Sequence, residues 1–407
     1  MGLEVRPIAP EQLRPWMEAV ETAFGEDVTD EGFERFRAIL EPERVLAAFD
    51  GQVIVGGGAA FSFQLTVPGG RLGAGGVTAV GMLPTHRRRG LLRQMMVRQL
   101  ADIRVAGEPL AVLWASEGNI YQRFGYGLAS LNGSIEIARE RAVFRRPADW
   151  SGDVRLVDAD TAAGGFPPIY AQVAARTPGF YGRDDNWWRK RTLADPESWR
   201  RGMSRKFFCL LERAGTPAAY AMYRIKDEWD DIGSKSALHV VEWMAVDPAA
   251  TQDIWRYLFS VDLMARTTSR LGPIDHPLLL MLDEPRRLQM RVGDGLWLRI
   301  VDVEAALAGR EYAADGELVI DLADDLMPDC AGRWRIVASG GRAEVARTDR
   351  PADLRLDTTD LAAIYLGGFT VGQLSRAGRG EELAAGAHER ADRLFATPTR
   401  PWCPEIF

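Results

Sequence analysis

The residues whose types and spacing suit chemistry begin with a basic turn, Arg87-Arg88-Arg89-Gly90. It lies between an apolar strand-like run, Gly75–Leu83, and a run of helical spacing, Leu91–Ala106. Pro84 stops ladder pairing of the strand. Gly90 opens the helix, whose first turn presents free backbone N–H groups and a partial positive charge. A pyrophosphate fits such a place. Gly90 lets the backbone approach phosphate without a Cβ in the way, and arginine side chains add charge-assisted contacts. Taken alone, the turn reads equally well as a solvated basic loop.

A second constellation follows the apolar run Leu110–Ala115. It is Ser116-Glu117-Gly118-Asn119-Ile120-Tyr121-Gln122-Arg123-Phe124-Gly125-Tyr126. A phenol has a pKa near 10, so a tyrosine here can act as a proton donor. Tyr121 is the candidate and Tyr126 its rival.

These residues need a frame. Val45–Phe49 and Gln52–Phe63 are strand-like runs joined by the hairpin turn Asp50-Gly51. Gln64–Val67 precedes the turn Pro68-Gly69-Gly70. In Leu91–Ala106, Leu92, Met95, Met96 and Leu100 share one face, and Gly107 ends the helix. Strand, crossover helix and strand make a βαβ unit, so Gly75–Leu83 and Leu110–Ala115 should run parallel.

The same order recurs downstream. Ile169–Ala175 and Trp187–Leu193 read as helices, and Phe207–Glu212 with Pro217–Lys226 as a hairpin around Gly215-Thr216. His239–Val246 reads as a strand, Ile254–Met264 as a helix and Leu278–Leu282 as a strand. This is a duplicated pattern. Its strand runs into Asp247-Pro248-Ala249-Ala250 without an Arg-x-x-Gly turn. A third unit starts with a short helix, Val303–Ala308, opened by Asp302. A meander follows at Glu317–Leu322, Trp334–Ala338 and Ala343–Val345, with Ala352-Asp353-Leu354 a candidate to pair nearby. Helices are expected at Thr359–Tyr365, Val371–Ala377 and Glu381–Phe395. Strands followed by helices indicate an α+β domain. The expected bounds are 1–150, 151–292 and 293–407.

Composition narrows the class. The 407 residues are 46% hydrophobic, ordinary for a globular enzyme of two or three domains. The formal charge of −7 gives nucleic-acid binding no support. No apolar run is long enough for a membrane span, and the acidic first thirty residues do not resemble a secretory signal. Cys209, Cys330 and Cys403 lie far apart. That argues against a disulfide framework or a zinc site, and no metal is expected. A reducing cytoplasm is the simplest compartment.

The order Arg87-x-x-Gly90 resembles the acyl-CoA loop of the GNAT superfamily, with Leu92 where that family prefers a small residue. Tyr121-x-x-x-Gly125-Tyr126 is similar to its Tyr-x-x-x-Gly-Phe element. The chain as a whole resembles the Eis (enhanced intracellular survival) family of N-acetyltransferases. The resemblance is carried by Leu83–Arg93, Ala115–Tyr121, Arg123–Gly127, Asp294–Ile300 and the tail ending in Phe407. It implies two tandem GNAT-like domains of α/β type, the second without catalysis, followed by a sterol-carrier-protein-like α+β domain. The co-substrate would be acetyl-CoA. Val80, Gly81 and Met82 would hold the pantetheine arm, although on pattern alone Val80 and Met82 read equally as strand core. Arg87, Arg88, Arg89, Gly90, Leu91, Leu92 and Arg93 would wrap the pyrophosphate. Ser116 and Glu117 would border the acetyl group.

The same resemblance assigns the proton donor to Tyr121 and the base to the terminal carboxylate of Phe407. The tail Pro401–Phe407 is apolar, aromatic and stiffened by prolines, so burial is expected. Glu405 is a rival base or a ligand for a cationic substrate. Phe24, Glu26 and Phe36 fall where the family lines its substrate cleft, and read equally as helix packing and a solvated acid. Multi-amine substrates such as aminoglycosides, or lysine side chains of peptides and proteins, are implied, as is a homohexamer. The alternative is a non-catalytic CoA-binding or lipid-binding protein on the same fold.

Overall fold

The turn at Asp50-Gly51, with Gly51 at a positive φ of 63°, sets Val45–Asp50 antiparallel to Val53–Val67. The turn at Pro68-Gly69 returns the chain as Gly70–Met82. The computed structural model describes residues 2–407. In it these strands form a seven-stranded sheet, ordered Leu3–Pro7, Val45–Asp50, Val53–Val67, Gly70–Met82, Leu110–Trp114, Leu296–Ile300 and Gly127–Leu128. Gly70–Met82 and Leu110–Trp114 run parallel, joined by helix Leu91–Val105, as the pattern predicts. Leu91, Met95, Met96, Leu100 and Ile103 form the buried stripe of that helix.

A second seven-stranded sheet is ordered Arg291–Asp294, Leu131–Ala138, Arg266–Ser269, Ala237–Ala245, Thr216–Lys226, Phe207–Arg213 and Asp153–Val157. Two strands sit outside the domains that the sequence bounds give them. Leu131–Ala138 belongs to this second sheet, between Arg266–Ser269 and Arg291–Asp294. Leu296–Ile300 completes the first sheet beside Leu110–Trp114. Neither is among the strands read from the sequence, because local pattern carries no information about partners far along the chain.

Leu278–Leu282 is a correction. Residues Leu278–Met281 form a short helix after Pro277, and the parallel partner of Ala237–Ala245 is Arg266–Ser269. A five-residue apolar run fits a buried strand and a buried helical turn equally. The crossover helix spans Pro248–Ser260, with Pro248 in its first turn and the Asp247 carboxylate accepting from Ala250 N–H.

The five-stranded third sheet is ordered Arg342–Arg347, Gly332–Ser339, Gly316–Ala323, Leu354–Asp357 and Glu381–Glu382. Helices Thr358–Tyr365, Val371–Arg376 and Ala387–Phe395 accompany it, the α+β arrangement expected. Glu381-Glu382 pairs as a strand rather than starting the last helix, which begins after Gly386 at a φ of 76°. By contacts the chain forms two units. One takes in residues up to Ser130, Gly295–Pro401 and Ile406–Phe407; the other is Leu131–Asp294 with Trp402–Glu405. No helix of the described residues is long and apolar enough to cross a membrane.

Candidate active site

The two parallel strands of the first sheet share few rungs: Ala74↔Leu110, Gly75↔Ala111 and Gly76↔Val112. Beyond Gly76 they part. Gly70–Met82 keeps its other neighbour, Val53–Val67, through Met82, and Leu110–Trp114 keeps Leu296–Ile300 through Trp114. The parting has a local cause. Gly57 pairs with Gly81 and Ala59 with Thr78, so one residue faces two, and Ala79 takes a φ of 53°. Such a bulge bends its strand and sharpens the twist. The wedge that opens is edged by the backbone of Val80, Gly81 and Met82, whose polar groups need hydrogen-bond partners.

The basic turn stands at the end of this strand. Arg88 and Gly90 take φ of 63° and 84°, and Gly90 is the N-cap of the helix. A Cβ built on Gly90 meets no protein atom, so the positive φ calls for glycine there. The first helical bond is Gln94 N–H to Gly90 O at 3.1 Å. The N–H groups of Leu91, Leu92 and Arg93 therefore point out of the helix start. Arg87 does not join them. Its Nε donates to Met82 O at 3.2 Å and its Nη2 to Ala23 O at 3.3 Å, stapling the loop to its neighbours. The backbone carbonyls at a strand end and a helix end needed donors, and Arg87 is within reach of both. His86 Nε2 lies 3.3 Å from the Asp50 carboxylate, and Arg89 3.8 Å from it. Arg88 and Arg93 are exposed.

Tyr121 lies on the short helix Gly118–Gln122 and is 7% exposed. It shares one apolar cluster with Val80, Leu92, Tyr126 and Trp297, so the strand Gly70–Met82, the helix Leu91–Val105 and the tyrosine helix meet at one point. Burial holds its phenol above the usual value. Ser116 and Glu117 are exposed on the loop before that helix. Tyr126 is fully buried, its ring edge-on to Tyr121 with centroids 6.1 Å apart. Burial raises its phenol strongly, against the opposing charge of Arg299. Tyr126 is a packing residue.

The opposite face of the sheet is aromatic. Side chains alternate along a strand, so Gly75 meets Ile103 of the helix while Gly76 meets Phe63. From Phe63 a row of rings runs through Phe61 and Phe36 to Trp16, with neighbouring centroids 5.7–6.3 Å apart. Phe407 joins its other end and is 8% exposed. Phe24 is exposed, and its ring comes within 3.3 Å of where a Gly81 Cβ would stand. Glu26 is exposed nearby, its N–H bonded to Glu21 O at 2.9 Å. Glu21 was not singled out by the sequence reading. Its carboxyl is raised by burial and then by Glu26. The available signal was its position three residues before Phe24, on the same helix face.

Glu405 is placed differently from expectation. Its carboxylate accepts from Tyr181 Oη at 2.9 Å, Trp187 Nε1 at 3.0 Å and Arg191 Nε at 3.1 Å, and pairs with Arg183 at 2.9 Å. Burial pushes its pKa up, but Arg183 and then Arg191 hold it below the usual carboxylate range. Arg183, with no exposed side chain, also pairs with Glu242 at 2.7 Å. A buried guanidinium needs such partners, and this one uses up the carboxylate that a cationic ligand would take.

In the second sheet, the helix start that corresponds to the basic turn already holds an anion. The Asp247 carboxylate caps Ala250 N–H at 2.9 Å and pairs with Arg213. A phosphate there would meet a carboxylate.

Residues 4–129 and 179–300 each match the Acetyltransferase (GNAT) domain family, and residues 303–404 match the Sterol carrier protein domain family. The chain is 39% identical over 415 residues to an uncharacterized N-acetyltransferase of Streptomyces avermitilis, covering 100% of both. It is 35% identical over 375 residues to the N-acetyltransferase Eis of Mycobacterium tuberculosis, covering 87% of this chain and 89% of that one. The crystal structure of Eis1 from Mycobacterium abscessus matches with a TM-score of 0.85 at 33% identity, over 100% of both chains.

Proposed function

The chain belongs to the Eis family of GNAT N-acetyltransferases, and from that premise we propose that it moves the acetyl group of acetyl-CoA directly onto an amine of a multi-amine acceptor. The observation that carries this reading is the wedge beyond Gly76, with a bare helix N-terminus at one end and Tyr121 beside Val80. Pantetheine lies along Val80, Gly81 and Met82 like an added strand, and a backbone N–H there polarises the thioester carbonyl. The N–H groups of Leu91–Arg93 and the side chains of Arg88, Arg89 and Arg93 take the pyrophosphate. Arg87 holds the loop in shape. Ser116 and Glu117 border the acetyl end.

In the transfer the amine nitrogen forms a bond to the carbonyl carbon and the carbon–sulfur bond breaks. Tyr121 gives its proton to the departing sulfur. The proton lost by the amine goes to the terminal carboxylate of Phe407, directly or through water. Phe24, Phe36, Glu21 and Glu26 favour a cationic acceptor with apolar surface, which suits aminoglycosides and lysine side chains. The family resemblance extends the reading to a cytoplasmic homohexamer.

Release of free CoA thiol from acetyl-CoA, measured over a panel of polyamines and aminoglycosides, tests the reading. Turnover with several acceptors, lost in Tyr121→Phe, is expected. No release with any amine would favour a non-catalytic CoA- or lipid-binding protein.

A further inference from the structure

Behind Tyr121 lies a buried ion pair that acetyl transfer, as described, does not use. Arg299, on strand Leu296–Ile300, is 0% exposed, and its Nη2 donates to Asp324 Oδ2 at 2.5 Å. The other Asp324 oxygen accepts the N–H groups of Leu326 and Met327, each at 3.0 Å. Asp324 belongs to the sterol-carrier-like domain.

The guanidinium is seated against the turn that carries the tyrosine. A Cβ on Gly125 would lie 2.6 Å from Arg299 Nη1 and 2.8 Å from its Cζ. Gly125 also has a φ of 80°, so both its space and its backbone call for glycine. Its N–H closes the Tyr121 helix on Gln122 O at 2.9 Å, and Tyr126 N–H reaches Tyr121 O at 3.3 Å. The Tyr126 ring then stands edge-on to Tyr121. Tyr126 thus touches the proton donor and lies in the field of the arginine.

This cluster is poorly built for stability. Arg299 Nε, Arg299 Nη1 and the Tyr126 hydroxyl are buried and find no hydrogen-bond partner among the described residues. Buried unpaired donors weaken a fold, and an apolar pair of similar volume would serve stability better. Its place against the donor's turn gives it another role.

We propose that Arg299, held by Asp324, is a positioning residue for Tyr121: it seats the Gly125 turn and, through the Tyr126 ring, fixes where the Tyr121 phenol stands. The proposal rests on Tyr121 being the proton donor. A donor held in one geometry keeps its proton in line with the departing sulfur, and a small displacement of the turn would cost rate without costing acetyl-CoA binding. Asp324, in the sterol-carrier-like domain, then contributes to transfer without itself contacting either substrate.

The test compares the full-length wild type with Tyr121→Phe, Arg299→Lys, and a double variant, Arg299→Met with Asp324→Asn. The double variant removes both charges and keeps an oxygen for Leu326 and Met327. It should melt close to the wild type and keep its KM for acetyl-CoA. Its kcat should fall by about 10²-fold, as for a small misplacement of a reacting group, and Arg299→Lys should recover part of that loss. A folded double variant with unchanged kcat overturns the proposal, provided Tyr121→Phe is inactive. An active Tyr121→Phe overturns the donor reading itself, and the role of Arg299 falls with it.

Discussion

The ring of Phe407 stands edge-on to the ring of Phe63, with centroids 4.9 Å apart and planes at 82°. Phe63 in turn covers Gly76: a Cβ there would lie 2.2 Å from Phe63 Cε2. Gly76 is the last residue of its strand to pair with Leu110–Trp114. One ring therefore separates Phe407 from the point where the wedge opens.

If the Phe407 carboxylate is the base, residues added after it should abolish turnover and leave acetyl-CoA binding intact. Calorimetric titration beside a thiol-release assay measures both. Full activity with a C-terminal extension would remove the carboxylate from the mechanism.

Tyr121→Phe keeps the ring and loses the proton. Its kcat should fall by about 10²–10⁴-fold, the range for loss of a general acid, with little change in KM for acetyl-CoA. Burial raises the phenol above its ordinary 10.0, so the donor stays protonated at neutral pH and activity is lost only as pH rises through that raised value. The wild-type kcat should hold to at least pH 10, and an alkaline decline near pH 8 in kcat would count against Tyr121.

The arginines of the turn should separate by role. Arg88→Ala removes an exposed charge. It should raise the KM for acetyl-CoA about tenfold or more, a charged hydrogen bond contributing about 1.5–3 kcal/mol, and leave the melting temperature unchanged. Arg87→Ala frees the Met82 and Ala23 carbonyls and should lower the melting temperature as well. Equal effects of the two on KM and melting would contradict the division.

Arg183→Met leaves the carboxylates of Glu242 and Glu405 without their shared buried partner. Breaking such a pair destabilises by about 3–5 kcal/mol, a loss read directly by chemical denaturation. Glu405 is held below the usual carboxylate value of 4.5, so its contribution is present above that value and is lost as pH falls through the lowered one. The wild-type melting temperature should therefore drop on acidification below about pH 4.5, and Glu405→Gln should flatten part of that drop.

Much of this was readable from residue order. Hairpin turns, the crossover helix Leu91–Val105 and the parallel pair around it follow from glycine placement and apolar period. Tyr121, Val80 and Leu92, far apart in sequence, meet because those elements are correctly identified. What stayed hidden depends on distant partners. Arg87 looks like any other phosphate-loop arginine until Met82 O and Ala23 O come within reach. Glu405 looks available until Arg183 and Arg191 close on it. Arg299 lies in the family-like stretch Asp294–Ile300, yet its role has no local signature, because its partner Asp324 lies 25 residues on.

The exchange of strands also bears on how the chain is made. Leu110–Trp114 leaves the ribosome well before its neighbour Leu296–Ile300. At about 5–20 residues per second, that gap is on the order of 10–40 s. For that time the nascent first sheet has an open edge, a template for pairing with another chain. Vectorial synthesis thus leaves this half of the protein open to mispairing along that edge until Ile300 emerges.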